Sequence, residues 1–248
     1  MRTAKRVGRL LPVSVPLVTD LRGRLVRRYK RFLADVETDS GELVTVHCPN
    51  PGSMKGTQRT GAQVRCSTSD KPGRKLRHTL EMIRVGRIWV GLHTLRANQL
   101  AQRALERGAI PALRGYALVR AEVPVGSGAS RLDFRLEEHA SDPRPAWVEV
   151  KSVTMAEGPR ARFPDAVTER GRKHLATLQA LHAAGERAVM LFVVQRADCE
   201  SVEPADDIDP AYGEALREAA TAGVELLAVR ARVRAGEIRL EKMLPVLL

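Results

Sequence analysis

The sequence predicts two unlike halves, a small all-β barrel followed by an α/β sheet domain. Three observations point there. Residues 17–94 carry only strand and turn signals, in about five short runs around a Pro- and Gly-rich middle. From residue 97 onward helical and strand patterns succeed one another in the order helix, three strands, helix, strand. The 248 residues are 44% hydrophobic and 28% charged, enough apolar material for one large domain or two small ones with real cores.

In chain order, residues 1–16 read as a basic N-terminal extension, 17–95 as the barrel and 96–248 as the α/β domain. In the first half, 25–38 reads as one long strand and 43–47 as the next, joined by the turn cluster Asp39-Ser40-Gly41. The loop CPNPGSM follows, then strands at 63–67, 78–85 and 88–92. Five short strands with a loop-rich middle suit a barrel of the oligonucleotide-binding (OB) type. In the second half, 97–107 has Leu100, Ala104 and Leu105 at helical spacing with Gly108 as the stop. Strands follow at 116–123, 130–136 and 146–153. In the second of these, alternation places Leu132, Phe134 and Leu136 on one face and Asp133 on the other. Residues 155–164 read as a basic loop, and a helix then runs to about residue 183. The continuous apolar run RAVMLFVV, 187–194, reads as a strand covered on both faces. A helix at 210–222 and strands at 224–233 and 237–241 end the chain. Three strands in succession imply a meander, and a strand returning after a helix implies a parallel crossover.

Charge narrows the partners. Lys and Arg number 41 against 29 Asp and Glu, a formal +12, which suggests a polyanionic partner, either nucleic acid or an anionic membrane surface. Aromatic residues are only 4%, which argues against a broad stacking platform for single strands. Cys48, Cys66 and Cys199 form no Cys-x-x-Cys pair, their number is odd, and the histidines lack zinc-ligand spacing; reduced thiols and a cytoplasmic location are expected. No run is long enough to span a membrane. The weak leader-like start, basic MRTAKRVGR before LLPVSVPLV, is interrupted by Pro12 and Pro16 and lacks an Ala-x-Ala site, so neither a signal peptide nor a membrane partner is expected.

The chemistry centres on WVEVKSVT, 147–154. On a strand, Trp147, Glu149 and Lys151 share one face, and Val148 and Val150 the other. Asp133 lies on the preceding strand. Neighbouring strands are about 4.8 Å apart, so the two carboxylates can converge on one cation. Asp133, Glu149 and the Val150 carbonyl, completed by water, suit Mg²⁺ or Mn²⁺, and Lys151 can meet a phosphate or position water. Glu122 is a candidate third carboxylate.

Asp133 followed by Glu149-Val150-Lys151, within that element order, resembles the PD-(D/E)xK nuclease superfamily, although Ser130-Arg131-Leu132 stands where its name-giving Pro would be. The resemblance implies a restriction-endonuclease-like α/β domain with Asp133, Glu149 and Lys151 catalytic. The blocks RYKRFLADV (28–36), HCPNPGSM (47–54), SRLDF (130–134), VEVKSVT (148–154) and FPDAVTERGRKHL (163–175) together resemble the sugar fermentation stimulation protein A (SfsA) family. That resemblance implies a DNA-binding protein with an OB-like N-terminal domain and a nuclease-like C-terminal domain, linked to sugar (maltose) metabolism. The chain departs from it in its basic N-terminal extension, in Gly73 within the loop 70–75, and in His93, a position where the resemblance implies Asn.

DNA is therefore the expected partner. Arg27, Arg28, Lys30 and Arg31 form the densest basic run and are expected to contact phosphates, as are Arg170 and Lys173 beyond the Glu-x-Lys strand. His47, Asn50 and Ser53 are expected to satisfy their tight loop. Two functions follow: a Mg²⁺-dependent DNA phosphodiesterase, or a non-catalytic DNA-binding regulator in which the acidic cluster is idle. An RNA-binding module is disfavoured because aromatic RNA-binding motifs are absent.

Overall fold

A computed structural model describes residues 10–126, 128 and 130–248. Of the expected basic extension, residues 1–9 lie outside the described residues. Ser14–Pro16 forms strand β1 of the large C-terminal sheet, antiparallel to the last strand, because Val13, Val15 and Leu17 are apolar and buried there.

The barrel consists of β2 (Leu21–Tyr29), β3 (Leu33–Thr38), β4 (Leu43–His47), β5 (Gln63–Thr68) and β6 (His78–Val85), with β7 (Ile88–Gly91) added as a hairpin on β6. The order β4-β3-β2-β5-β6 closes where β4 meets β6 at His47 and Thr79. This is a closed five-stranded OB barrel with Leu25, Val36, Val46, Val64, Leu80 and Ile83 inside. The single strand expected over 25–38 is in fact a hairpin. Lys30 and Arg31 turn the chain at φ 46° and 62°. That region normally calls for Gly or Asn, so no turn residue marked the corner.

The second half comprises α1 (Leu95–Glu106), β8 (Tyr116–Val125), β9 (Ser130–His139), β10 (Ala146–Val153), β11 (Ala156–Glu157), β12 (Arg160–Phe163), α2 (Glu169–Ala183), β13 (Arg187–Val194), β14 (Ser201–Pro204), α3 (Pro210–Thr221), β15 (Glu225–Val233) and β16 (Glu237–Leu244). The main sheet runs β1-β16-β15-β13-β10-β9-β8, with β10, β13 and β15 parallel. On β13, Val189, Leu191 and Val193 feed one core, and Ala188, Met190, Phe192 and Val194 the other. That is why its sequence is apolar throughout. α1 covers the first face with Ala97, Leu100, Ala101 and Ala104; α2 and α3 cover the second with Leu175, Leu178, Tyr212 and Leu216. The basic loop expected at 155–164 instead forms β11 and β12, which pair with β14 in a small separate sheet. Its partner strand lies some forty positions on, beyond the reach of local pattern.

Two caps fix the helices beside the site. The Thr168 hydroxyl accepts the Gly171 N–H at 3.0 Å, and Glu169 complements the start of α2. The buried Asp209 carboxylate caps α3 at the Tyr212 N–H, 3.0 Å, and also accepts the Thr168 N–H, 2.8 Å, so the two helix starts are tied together. The barrel is joined to this layer through the CPNPGSM loop. The Met54 N–H donates to Asp165 Oδ2 at 2.9 Å, and the Ser53 hydroxyl to the Asp165 carbonyl at 2.5 Å. A side chain at Gly52 would collide with the Asp165 carboxylate, so the close approach requires glycine.

Candidate functional site

The site forms where two antiparallel strands part. β9 and β10 pair through Ala146–Leu136, Trp147–Arg135 and Val148–Phe134, and the ladder then stops. At the next step the Asp133 side chain replaces backbone: its Oδ2 accepts the Val150 N–H at 2.7 Å. The face alternation expected on β9 breaks here. Leu132 packs with Trp147 and Leu175 on one side of the sheet, whereas Phe134 and Leu136 pack on the other. The neighbouring strand is distorted at the same level, with Glu122 at φ 53°. Both N–H and C=O of a strand residue face one edge, so the Val150 carbonyl faces the same open fork as its N–H.

Asp133 is held from its other oxygen by Asn98 of α1, whose amide donates to Oδ1 at 2.7 Å. Glu149, 4% exposed, points to the α2 face as alternation predicts. Its Oε1 accepts Lys151 Nζ at 2.6 Å and His174 Nδ1–H. Arg170 donates to His174 Nε2 at 3.4 Å, which leaves the ring proton on Nδ1, toward Glu149. Glu149 Oε2 is buried without a hydrogen-bond partner among the described residues.

The two carboxyls are pushed in opposite directions. Burial, and then the Glu149 charge, raise Asp133 from the ordinary 3.8 to about 6, against the Val150 N–H, Lys151 and Asn98. Burial alone would raise Glu149 too, but the hydrogen bond from His174 and the charge of Lys151 hold it below the usual range.

A cleft of about 500 Å³ lies beside this cluster. Asn98, Val150 and Lys151 line it together with Asn50 of the barrel loop, Arg31 and Arg170, whereas neither Asp133 nor Glu149 reaches its lining. Of the predicted residues, then, the fold brings together Asp133, Glu149, Val150 and Lys151, and adds Arg31 and Arg170. The others are elsewhere. Arg27 is paired with Asp35 at 2.7 Å. The guanidinium of the half-buried Arg28 donates to the carbonyls of Arg31, Asn50 and Gly52 at 2.8, 2.9 and 2.8 Å and pins the loop. Lys30 and Lys173 are exposed and do not line the cleft. Glu122 does not join the acids; it is exposed, 3.9 Å from Arg131. Asn50 does serve its loop, accepting the Gly52 N–H at 2.9 Å. Asn98 was missed, its one sequence signal being a polar residue beside the apolar stripe of α1. The role of His174 as a partner of Glu149 depends on the packing of α2 and has no linear signal.

Among the described residues no group of three or more His, Cys, Asp or Glu side chains is placed to hold a metal ion. A divalent cation would have two carboxylates and one carbonyl here. The donor set nevertheless fits a hard cation that keeps several waters, and the partnerless buried Glu149 Oε2 is an acceptor such an ion would satisfy.

Comparison with known proteins gives a consistent picture. Residues 26–92 match the SfsA N-terminal OB domain and residues 95–237 the sugar fermentation stimulation protein RE domain. The chain is 51% identical to a sugar fermentation stimulation protein homolog of Geobacter metallireducens, over 91% of this chain and 96% of that protein. A homolog from Halorhodospira halophila is 52% identical over 90% of this chain and 93% of its own. The structure of Pyrococcus furiosus SfsA in complex with Ca²⁺ superposes with a TM-score of 0.83 at 27% identity, covering 97% of this chain and all of that one. Among the described residues no helix is long and apolar enough to cross a membrane.

Proposed function

As this chain belongs to the sugar fermentation stimulation protein family, we propose that it is a divalent-metal-dependent phosphodiesterase acting on DNA, with a PD-(D/E)xK-type centre at Asp133, Glu149, Val150 and Lys151. The observation that carries this reading is the buried, partnerless Glu149 Oε2 next to an Asp133 carboxyl raised by burial and then by the Glu149 charge. Two acids brought together at a strand fork cost stability unless something cationic joins them. The Pyrococcus furiosus relative is described with Ca²⁺, which, like Mg²⁺, prefers oxygen ligands. The net charge of +12 supports an anionic polymer as substrate.

In this reading Asp133, Glu149 and the Val150 carbonyl would hold Mg²⁺ or Mn²⁺, which when bound supplies a more acidic water and charge neutralisation at phosphorus. Asn98 fixes Asp133, and His174 fixes Glu149 from behind, as outer partners do at metal centres. Lys151 lines the cleft and donates to a non-bridging phosphate oxygen as charge gathers there. Arg31 and Arg170 hold the flanking backbone at the rim.

A second reading, a DNA-binding regulator of sugar metabolism with an idle cluster, is favoured by one observation: Glu149 Oε1 is already engaged by both Lys151 and His174. The experiment that decides is incubation of purified protein with single-stranded, duplex and branched DNA and Mg²⁺ or Mn²⁺. Metal-dependent cleavage that Asp133→Asn abolishes supports the enzyme; DNA binding without cleavage at any metal concentration supports the regulator.

A further inference from the structure

The barrel carries a second cavity, of about 460 Å³, that the acid–lysine cleft does not use. Its walls include Phe32 after the β2–β3 turn, His47 at the end of β4, Arg74, Glu81 of β6, His93 and Arg96. One side is aromatic. Phe32 is 43% exposed and lies nearly parallel to His47, with ring centroids 6.3 Å apart and planes at 25°. An open ring over a cavity is a face on which a planar heterocycle can stack.

The other side is cationic. Glu81, the one acid in the wall, is fully buried and fully engaged: Arg96 donates to both its oxygens at 2.8 and 3.1 Å, and the Ser67 hydroxyl donates at 2.8 Å. It therefore neutralises Arg96 and leaves Arg74 uncompensated. Among the described residues, the one hydrogen bond of the exposed Arg74 guanidinium goes to a neutral hydroxyl, that of Thr79. His93 Nδ1 is buried and has no partner among the described residues. Burial holds the His93 pKa below its usual value, helped by Arg96, His47 and Arg74 against Glu81. A cavity with an aromatic floor and an uncompensated guanidinium suits a planar ring carrying an anion, which is the chemistry of a nucleotide.

Position adds the last element. Leu95, the first residue of α1, is 62% exposed and lines both this cavity and the acid–lysine cleft. The two are neighbours across one side chain. A base inside a duplex has both faces stacked and cannot enter such a cavity without being unpaired.

We infer that the barrel cavity holds one unpaired nucleotide of a DNA strand, its base against Phe32 and its phosphate at Arg74, with the strand continuing over Leu95 into the acid–lysine cleft. This rests on the DNA reading above and adds to it that the substrate is single-stranded or locally opened. The test is fluorescence anisotropy in EDTA, which prevents cleavage, with a labelled twelve-nucleotide oligothymidylate and a blunt duplex of equal length. Wild type should prefer the single strand. Phe32→Ala should weaken its binding about 5- to 160-fold, the range of one base–aromatic stack, and Phe32→Trp should retain it. Arg74→Ala should weaken binding and reduce the log–log salt slope by about 0.7, one single-strand phosphate. Both positions are exposed, and thermal melts of each variant confirm folding. Unchanged single-strand affinity in both alanine variants would overturn the cavity assignment and leave DNA binding standing. Failure of wild type to bind any DNA would overturn the DNA reading and this inference with it. Thymidine 5′-monophosphate competing as strongly as the oligonucleotide would overturn the strand in favour of a free nucleotide.

Discussion

Replacing Asp133 by Asn should make the metal-free protein more stable at neutral pH. The side chain keeps its shape and an oxygen for the Val150 N–H, and the Asn98 amide turns over to accept from the new Nδ2, while the charge disappears. In the fold the Asp133 carboxyl titrates at about 6 against 3.8 ordinarily, a difference of about two units. At about 1.4 kcal/mol per unit, the ionised side chain costs the folded state about 3 kcal/mol. The sign follows from proton counting. Between about pH 4 and 6 the folded state holds more of this proton than the unfolded state does, so this group lowers stability as pH rises through that window. The cost is complete above the window and falls below about 1 kcal/mol near pH 4. Asp133→Asn should therefore raise Tm by roughly 6–12 °C near pH 7.5, for a chain of this size, and change it little near pH 4. A divalent ion relieves the same cost in wild type: at a hundred times its Kd it adds about 2.7 kcal/mol. That gain should vanish in the variant. The assay is calorimetry of both proteins at the two pH values, with and without Mg²⁺ or Mn²⁺. A variant no more stable than wild type at pH 7.5, or stabilised equally by the ion, would refute both the charge argument and the role of Asp133 as a ligand.

Other outcomes follow from the same geometry. His174→Ala removes the donor behind Glu149 and should weaken ion affinity about 10- to 100-fold by titration calorimetry while leaving the helix in place. Arg28→Ala should cost about 1–3 kcal/mol in denaturant unfolding, because three loop carbonyls lose a charged donor, whereas Arg31→Ala should leave stability unchanged and reduce the salt slope of DNA binding. Asp165→Ala should cost about 1–3 kcal/mol by releasing the Met54 N–H, and protease accessibility of the CPNPGSM loop should rise with it. A fragment of residues 96–248 lacks β1 and the barrel residue Met82, both part of the first core, so its Tm should fall below that of the full chain; an equal Tm would show the barrel contributes nothing to that core.

What could be read in the sequence was what local pattern encodes. The apolar run 187–194 identified a doubly covered strand because both faces of β13 are buried in separate cores. Residues 146–153 were placed to the residue, since alternation of apolar and charged side chains has one solution there. The corner at Lys30 and Arg31 was not legible, because the chain takes a left-handed turn without Gly or Asn. The β11–β12–β14 sheet was missed because its strands are short and paired across a helix and a strand. At the site, Glu149 and Lys151 were visible as a spacing of two on one strand. Asp133 was visible only once the meander was drawn. Asn98 and His174 come from helices on opposite faces of the sheet, so no linear spacing predicts them.

That last difference bears on how the site is held. Asn98 is on α1, which starts four residues after β7 leaves the barrel, and Thr94, at the cap of α1, donates to the Pro49 carbonyl at 3.1 Å. His174 is on α2, and Asp165, just before that helix, receives the Met54 N–H and the Ser53 hydroxyl from the same barrel loop. Each carboxylate is thus oriented by a helix whose start is tied to residues 47–54. Arg28 then fixes that loop from β2, through the carbonyls of Asn50 and Gly52. A side chain that reads as a phosphate contact in a basic run instead anchors the loop on which both walls of the acid–lysine cleft depend. Displacement of the loop, whether by Arg28 substitution or by a strand entering the barrel cavity beside Pro49, acts on Asp133 and Glu149 together.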